Sequence, residues 1–143
     1  MARRIDLSLL GDKRLERQLK RLPVIAQRKV VRRAMREAAR PVQAEAERLA
    51  PRGETGRMAA TIKIKAAKGK AGLGVVVQTG TREELGIAAD DPYYYPFAVE
   101  YGHGDVPAHP FMRPAMDNMR PTAMAIVARV VRERLPIEAA RIT

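Results

Sequence analysis

Cysteine is absent, which excludes disulfides, thiolate metal sites and a cysteine nucleophile and leaves the redox compartment open. Tryptophan is absent too, and four Tyr and two Phe make up the aromatic complement. A core must therefore be built from Val, Leu, Ile, Met and Ala. No apolar run approaches the roughly 20 residues that cross a bilayer; the stretch from Ala123 to Ala128 falls far short. The start, Met1-Ala2-Arg3-Arg4-Ile5-Asp6, carries positive charge with no apolar region behind it. These absences predict a soluble protein with no export signal and no membrane partner.

What remains is an ordinary globular balance, with 46% hydrophobic and 30% charged residues in a chain of 143. That length suits one domain over residues 1–143 with a core of its own. The net charge of +11 is unevenly spread, because residues 1–50 hold fourteen Lys/Arg against six Asp/Glu and so carry +8 of it. Such an excess points to an acidic partner: nucleic acid, an anionic membrane surface or an acidic protein face.

Along the chain, Ile5, Leu7 and Leu9 alternate as one face of a short strand. Gly11-Asp12 supplies a turn and a helix cap, and Leu15, Leu19 and Leu22 recur at helical spacing until Pro23. Val31, Met35, Ala38, Val42, Ala46 and Leu49 step by three or four, which predicts a long amphipathic helix from about Val24 to Leu49. Pro41 inside it predicts a bend and not a break, since the pattern resumes in phase beyond it. Thr55-Gly56 reads as a turn, with Gly56 free to take positive φ. A β-hairpin follows, its strands at 61–65 with Ile62 and Ile64 inward and at 73–78 with Leu73, Val75 and Val77 on one face, joined by Lys68 to Gly72. Residues 79–92 read as a flexible loop. The stretch Tyr95 to Tyr101 reads as a third strand containing Phe97 and Val99. Pro114 opens a final helix with Met116, Met119, Ala123, Val127, Val130, Val131 and Leu135 inward and a second kink at Pro121. The predicted fold class is α+β, a small antiparallel sheet (the hairpin plus additional strands) packed against a long kinked N-terminal helix and a C-terminal helix.

Three stretches occur in a recognisable order: Arg48-Leu49-Ala50-Pro51 followed by Thr55-Gly56-Arg57-Met58; Phe97-Ala98-Val99-Glu100-Tyr101-Gly102; and Pro107-Ala108-His109-Pro110-Phe111-Met112-Arg113-Pro114-Ala115-Met116. The last is the most specific. Together they resemble the tail-completion, or head-tail joining, proteins of long-tailed phages and prophages, over roughly residues 10–135. The resemblance implies a structural virion subunit of the neck, of tail-completion or tail-terminator type and made in the host cytoplasm. It also implies a cyclic ring, sixfold or twelvefold, around the DNA exit channel, with an adjoining connector or head-closure protein and the tail tube protein as partners.

Several residues bear sharper readings beside plainer ones. In the Pro107–Pro114 segment, Pro110 forces His109 out of helical geometry and sets Phe111 for burial, so Pro107, His109, Pro110, Phe111 and Pro114 read as a structural corner. His103 and His109 with Glu100 or Asp105 can be drawn as a metal site or an acid–base pair. No third His or Cys completes a ligand set, however, and no nucleophile or phosphate loop accompanies it. The expectation is no enzyme, no metal and no cofactor. Arg28, Arg32, Arg36 and Arg40 form a stripe, with Lys29 and Arg33 beside it, that can follow DNA phosphates without sequence specificity or meet an acidic partner. The same stripe also reads as a solvated helix face supported by an Arg33–Glu37 pair. Tyr93, Tyr94 and Tyr95 read either as inter-ring or inter-subunit contacts or as the start of a strand that completes the core. The leading expectation is a neck subunit; the alternative is a non-sequence-specific nucleic-acid-binding protein using the basic stripe.

Overall fold

In the computed structural model, which describes residues 13–53, 55–67 and 74–142, the periodic leucines form helix α1 (Lys13–Lys20). Leu15, Leu19 and Leu22 are all buried. Just past the helix the Gln27 side-chain amide donates to the Leu22 carbonyl at 2.7 Å, giving a partner to a carbonyl that the helix end leaves without one. Helix α2 (Val24–Leu49) runs through Pro41 without interruption, as the in-phase pattern predicts. A proline removes one backbone donor, and the remaining ladder carries the helix across. Val31, Ala38, Val42 and Ala46 are buried and Met35 and Leu49 half-buried. The strand expected over residues 4–9, the cap at Gly11-Asp12 and the turn at Lys68 to Gly72 lie outside the described residues.

The chain divides into two compact units, and within both long helices the division falls at a proline, Pro41 in α2 and Pro121 in the last helix. The first unit draws on α1, residues 24–40, residues around the hairpin turn and residues 121–142. Its core gathers Leu15, Leu19, Leu22, Val30, Val31 and Ala34 with Val130, Val131 and Leu135. Each fully buried Leu or Val side chain contributes about 1.5–3 kcal/mol, so this cluster is the main driving force for that unit.

The second unit, residues 41–64 and 77–120, buries Val42, Ala46, Ala50, Met58, Ile62, Leu85, Phe111 and Ala115. Gly56 has φ 64° and leads into a one-turn helix, α3 (Arg57–Ala60), which the sequence pattern did not reveal. Strands β1 (Lys63–Ala66) and β2 (Val75–Gln78) then pair as an antiparallel hairpin. Ile62, one residue before β1, is buried and Ile64 only half-buried. Among the described residues this sheet has two strands.

The expected third strand is a helix, α4 (Tyr95–Tyr101). Pro96 in its first turn suits a helix start. Pro96 and Glu100 lie one helical turn apart and are both buried, whereas the strand pattern had turned Phe97 and Val99 inward. Gly102 ends α4 at φ 82°, with its N–H donating to the Ala98 carbonyl at 2.7 Å. The last helix, α5 (Met112–Ala140), begins two residues before Pro114 and runs through Pro121 and Pro136. Met116, expected inward, is exposed, and Ala115 takes the buried position.

Residues 79–94 fold through successive turns. The Leu85 N–H donates to the Thr81 carbonyl at 3.0 Å, the Ile87 N–H to the Arg82 carbonyl at 2.7 Å, and Leu85 is buried. Gly80 opens the segment against Thr61: its N–H donates to Thr61 Oγ1, and a Cβ at this position would stand 2.6 Å from Thr61 Cβ. Gly80→Ala is therefore expected to destabilise the fold by about 1–3 kcal/mol through overpacking. In a denaturant titration Thr61→Gly, which also removes the hydroxyl that accepts from the Gly80 N–H, should cost less in the Gly80→Ala chain than in wild type, since there it removes the opposing atoms.

Candidate interaction sites

A helix start leaves its first backbone donors without partners, and Phe111 at the cap of α5 has no side-chain oxygen to offer them. Glu100 supplies one from α4. Its carboxylate accepts from the backbone N–H of Phe111 at 2.8 Å, of Met112 at 3.0 Å and of Arg113 at 3.0 Å. The next residue is Pro114, which has no N–H, so every donor position of the first turn is accounted for. Arg113 completes the arrangement, with Nε donating to the Glu100 carboxylate at 3.0 Å and a terminal nitrogen donating to the Glu100 carbonyl at 2.8 Å. Burial pushes the Glu100 carboxyl up, but the three backbone donors and Arg113 outweigh it and hold the group below the usual carboxylate range.

This explains two of the sequence stretches as one device. Val99-Glu100-Tyr101-Gly102 provides the acceptor and the turn; Pro107–Met116 provides the helix start it caps. Between them the His109 N–H donates to the Val99 carbonyl at 2.7 Å. Of the predicted corner, Phe111 is buried and Pro114 half-buried, while Pro107, His109 and Pro110 are exposed. His109 thus works through its backbone. Glu100, considered above for acid–base or metal chemistry, has its oxygens occupied by the helix start. Among the described residues no three His, Asp or Glu side chains gather to hold a metal ion.

The outer side of α4 is apolar. Phe97 is 65% exposed and Tyr101 55%, and their rings sit 4.8 Å apart. The Arg113 guanidinium lies 4.6 Å from the Tyr101 ring centroid, a cation–π contact that fixes the ring without covering it. Tyr93 is also exposed and edge-on to His103 at 5.4 Å, and Val106 is exposed as well. The three tyrosines read as a group separate here. Tyr94 is tied inward, its hydroxyl donating to the Gly80 carbonyl at 2.7 Å and sharing a hydrogen bond with Thr79 Oγ1. Tyr95 is half-buried; desolvation pushes its phenol up, and the charge of Arg57 offsets part of this. Phe97 and Tyr101 escaped the sequence reading because strand spacing turned Phe97 inward.

Arg28, Arg32, Arg36 and Arg40 are all exposed on α2. Only Arg32 and Arg36 enter a recess, a cavity of about 240 Å³ in the first unit that Lys29, Arg33, Arg134 and Glu138 also line. Arg33 Nε pairs with Glu37 at 3.4 Å, as expected from their spacing. Glu138 is buried and meets Arg134 at 3.1 Å, Arg141 at 3.4 Å and Lys29 at 3.7 Å.

Residues 13–103 match the HK97-gp10-like family, described as Bacteriophage HK97-gp10 and a candidate tail component, and the chain belongs to that family. It is accordingly a structural phage tail protein of the virion. The matched span ends at His103, so it includes Glu100 and stops before the helix start that Glu100 caps. The chain has no match among curated proteins and none among solved structures. Among the described residues no helix is long and apolar enough to cross a membrane.

Proposed function

We propose that this protein is a non-enzymatic subunit of the head–tail interface, forming a closed ring at the neck between the capsid connector and the tail tube, of tail-completion or tail-terminator type. The observation that carries the reading is the exposed aromatic side of α4, on a chain that belongs to a tail-component family. Apolar side chains grouped on a surface mark protein contacts, and aromatics with Arg are the residue types that dominate them. A ring needs such surfaces on every copy. DNA passing through the channel would meet the protein through non-specific charge. The competing function, a nucleic-acid-binding protein, draws on the basic stripe of Arg28, Arg32, Arg36 and Arg40, of which only Arg32 and Arg36 share the recess.

Native mass spectrometry of the purified chain, and electron microscopy of particles containing it, test the proposal. A closed ring at the neck is the expected result, on its own or only on the connector. Phe97→Ser should leave the free energy of unfolding within about 0.5 kcal/mol of wild type, as exposed substitutions do, yet prevent incorporation into particles. A chain absent from particles that binds DNA with steep salt dependence would sink the neck reading.

A further inference from the structure

The basic recess on the first unit is lined mainly by cations. Five cations, Lys29, Arg32, Arg33, Arg36 and Arg134, line it against one carboxylate, Glu138. At about 240 Å³ it lies below the roughly 300–1,000 Å³ of small-molecule pockets. A nucleic-acid backbone running along α2 would be expected to use the whole stripe. The structure instead sets Arg32 and Arg36 in the recess, and Arg28 and Arg40 outside it. The shape suits the ends of one or two acidic side chains, which Arg guanidinium groups meet through paired hydrogen bonds.

The chain carries such groups itself. In a protein of net charge +11, Glu83, Glu84, Asp90 and Asp91 fall within nine residues that hold no Lys or Arg. Glu83 and Asp90 are exposed, and the turns around Leu85 and from Ala88 to Asp91 hold them in place, the latter closed by the Asp91 N–H on the Ala88 carbonyl at 3.0 Å. Glu84 is paired with Lys63, and the Asp91 carboxylate accepts from the Tyr93 N–H at 2.9 Å. We propose that Glu83 and Asp90 of one copy dock into the Arg32–Arg36 recess of the next. Made head to tail, each recess taking the acidic turns of the next copy and not of a reciprocal partner, the contact is heterologous and generates a ring or filament. This deepens the neck proposal and rests on it for the biological setting.

Reversed charges test it. Arg32→Glu with Arg36→Glu, and separately Glu83→Lys with Asp90→Lys, should each weaken self-association in sedimentation velocity at low salt by roughly a hundredfold or more. The four changes together should restore it, with circular dichroism and thermal midpoints showing each variant folded. A wild-type chain that stays monomeric at every concentration overturns the proposal, as does equal association in all variants. So does loss of affinity for a DNA duplex in the arginine variant with self-association intact. Electron microscopy separates this failure from that of the neck reading: a neck ring indifferent to the charge reversals rejects the docking contact alone.

Discussion

Glu100→Ala lowers the free energy of unfolding by about 4 kcal/mol, the largest effect expected of any single polar substitution in this protein. The carboxylate accepts from three backbone N–H groups and from Arg113, and its removal strands those donors, one of them the buried Phe111 N–H. Hydrogen bonds to a charged acceptor contribute about 1.5–3 kcal/mol each before the interdependence of neighbours is discounted. Glu100→Gln should recover little, because the amide nitrogen turns a donor toward donors. The acid response follows from the lowered folded pKa. The unfolded value is about 4.3, so the contribution is fully present above that pH and is lost as pH falls through the lower folded value. Urea titrations from neutral pH down to about 3 check this: wild type should lose stability over the acid end of the range, and Glu100→Gln should lose visibly less. Parallel curves would show the carboxylate to be incidental.

Phe111→Ala should lower stability by about 4 kcal/mol, within the range for truncating a buried phenylalanine, and the thermal midpoint by roughly 12 °C at about 3 °C per kcal/mol for a chain of this size. Phe111 is 1% exposed, the largest of the fully buried side chains. Its neighbours on either side explain why the loss cannot be absorbed. Its own N–H is held by Glu100 and its carbonyl accepts from the Ala115 N–H at 3.1 Å, so the backbone is pinned and cannot close over the cavity. Differential scanning calorimetry decides it; an unchanged midpoint would mean that the corner is packed by something other than this ring.

The helices were legible where apolar positions recur over many turns. Val31 through Ala46 and Leu15 through Leu22 declare a face long enough that no other period fits, and Pro41 does not disturb the phase. Seven residues from Tyr95 were too few. Alternation put Phe97 and Val99 inward, whereas the helix turns Pro96 and Glu100 inward and sends Phe97 and Tyr101 out. The aromatic that the strand pattern placed in the core is exposed instead. The same limit hid α3, whose four residues carry no period at all. Of the basic stripe, spacing placed all four arginines on α2, but which of them share a recess depends on Arg134 and Glu138, about a hundred residues further along the chain.

By itself the sequence determined the α+β class, the long helices and their passage through proline, the turn at Gly56, and the family to which the chain belongs, because these depend on local geometry and on residues in fixed runs. Only tertiary structure decided that Glu100 caps α5, that Phe97 and Tyr101 face outward, and that Arg32 and Arg36 enter a recess. Each of these requires groups far apart in the chain to meet. A carboxylate reads alike in sequence whether it faces solvent, a metal or a helix start; what it does is fixed by the donors that the fold brings to it.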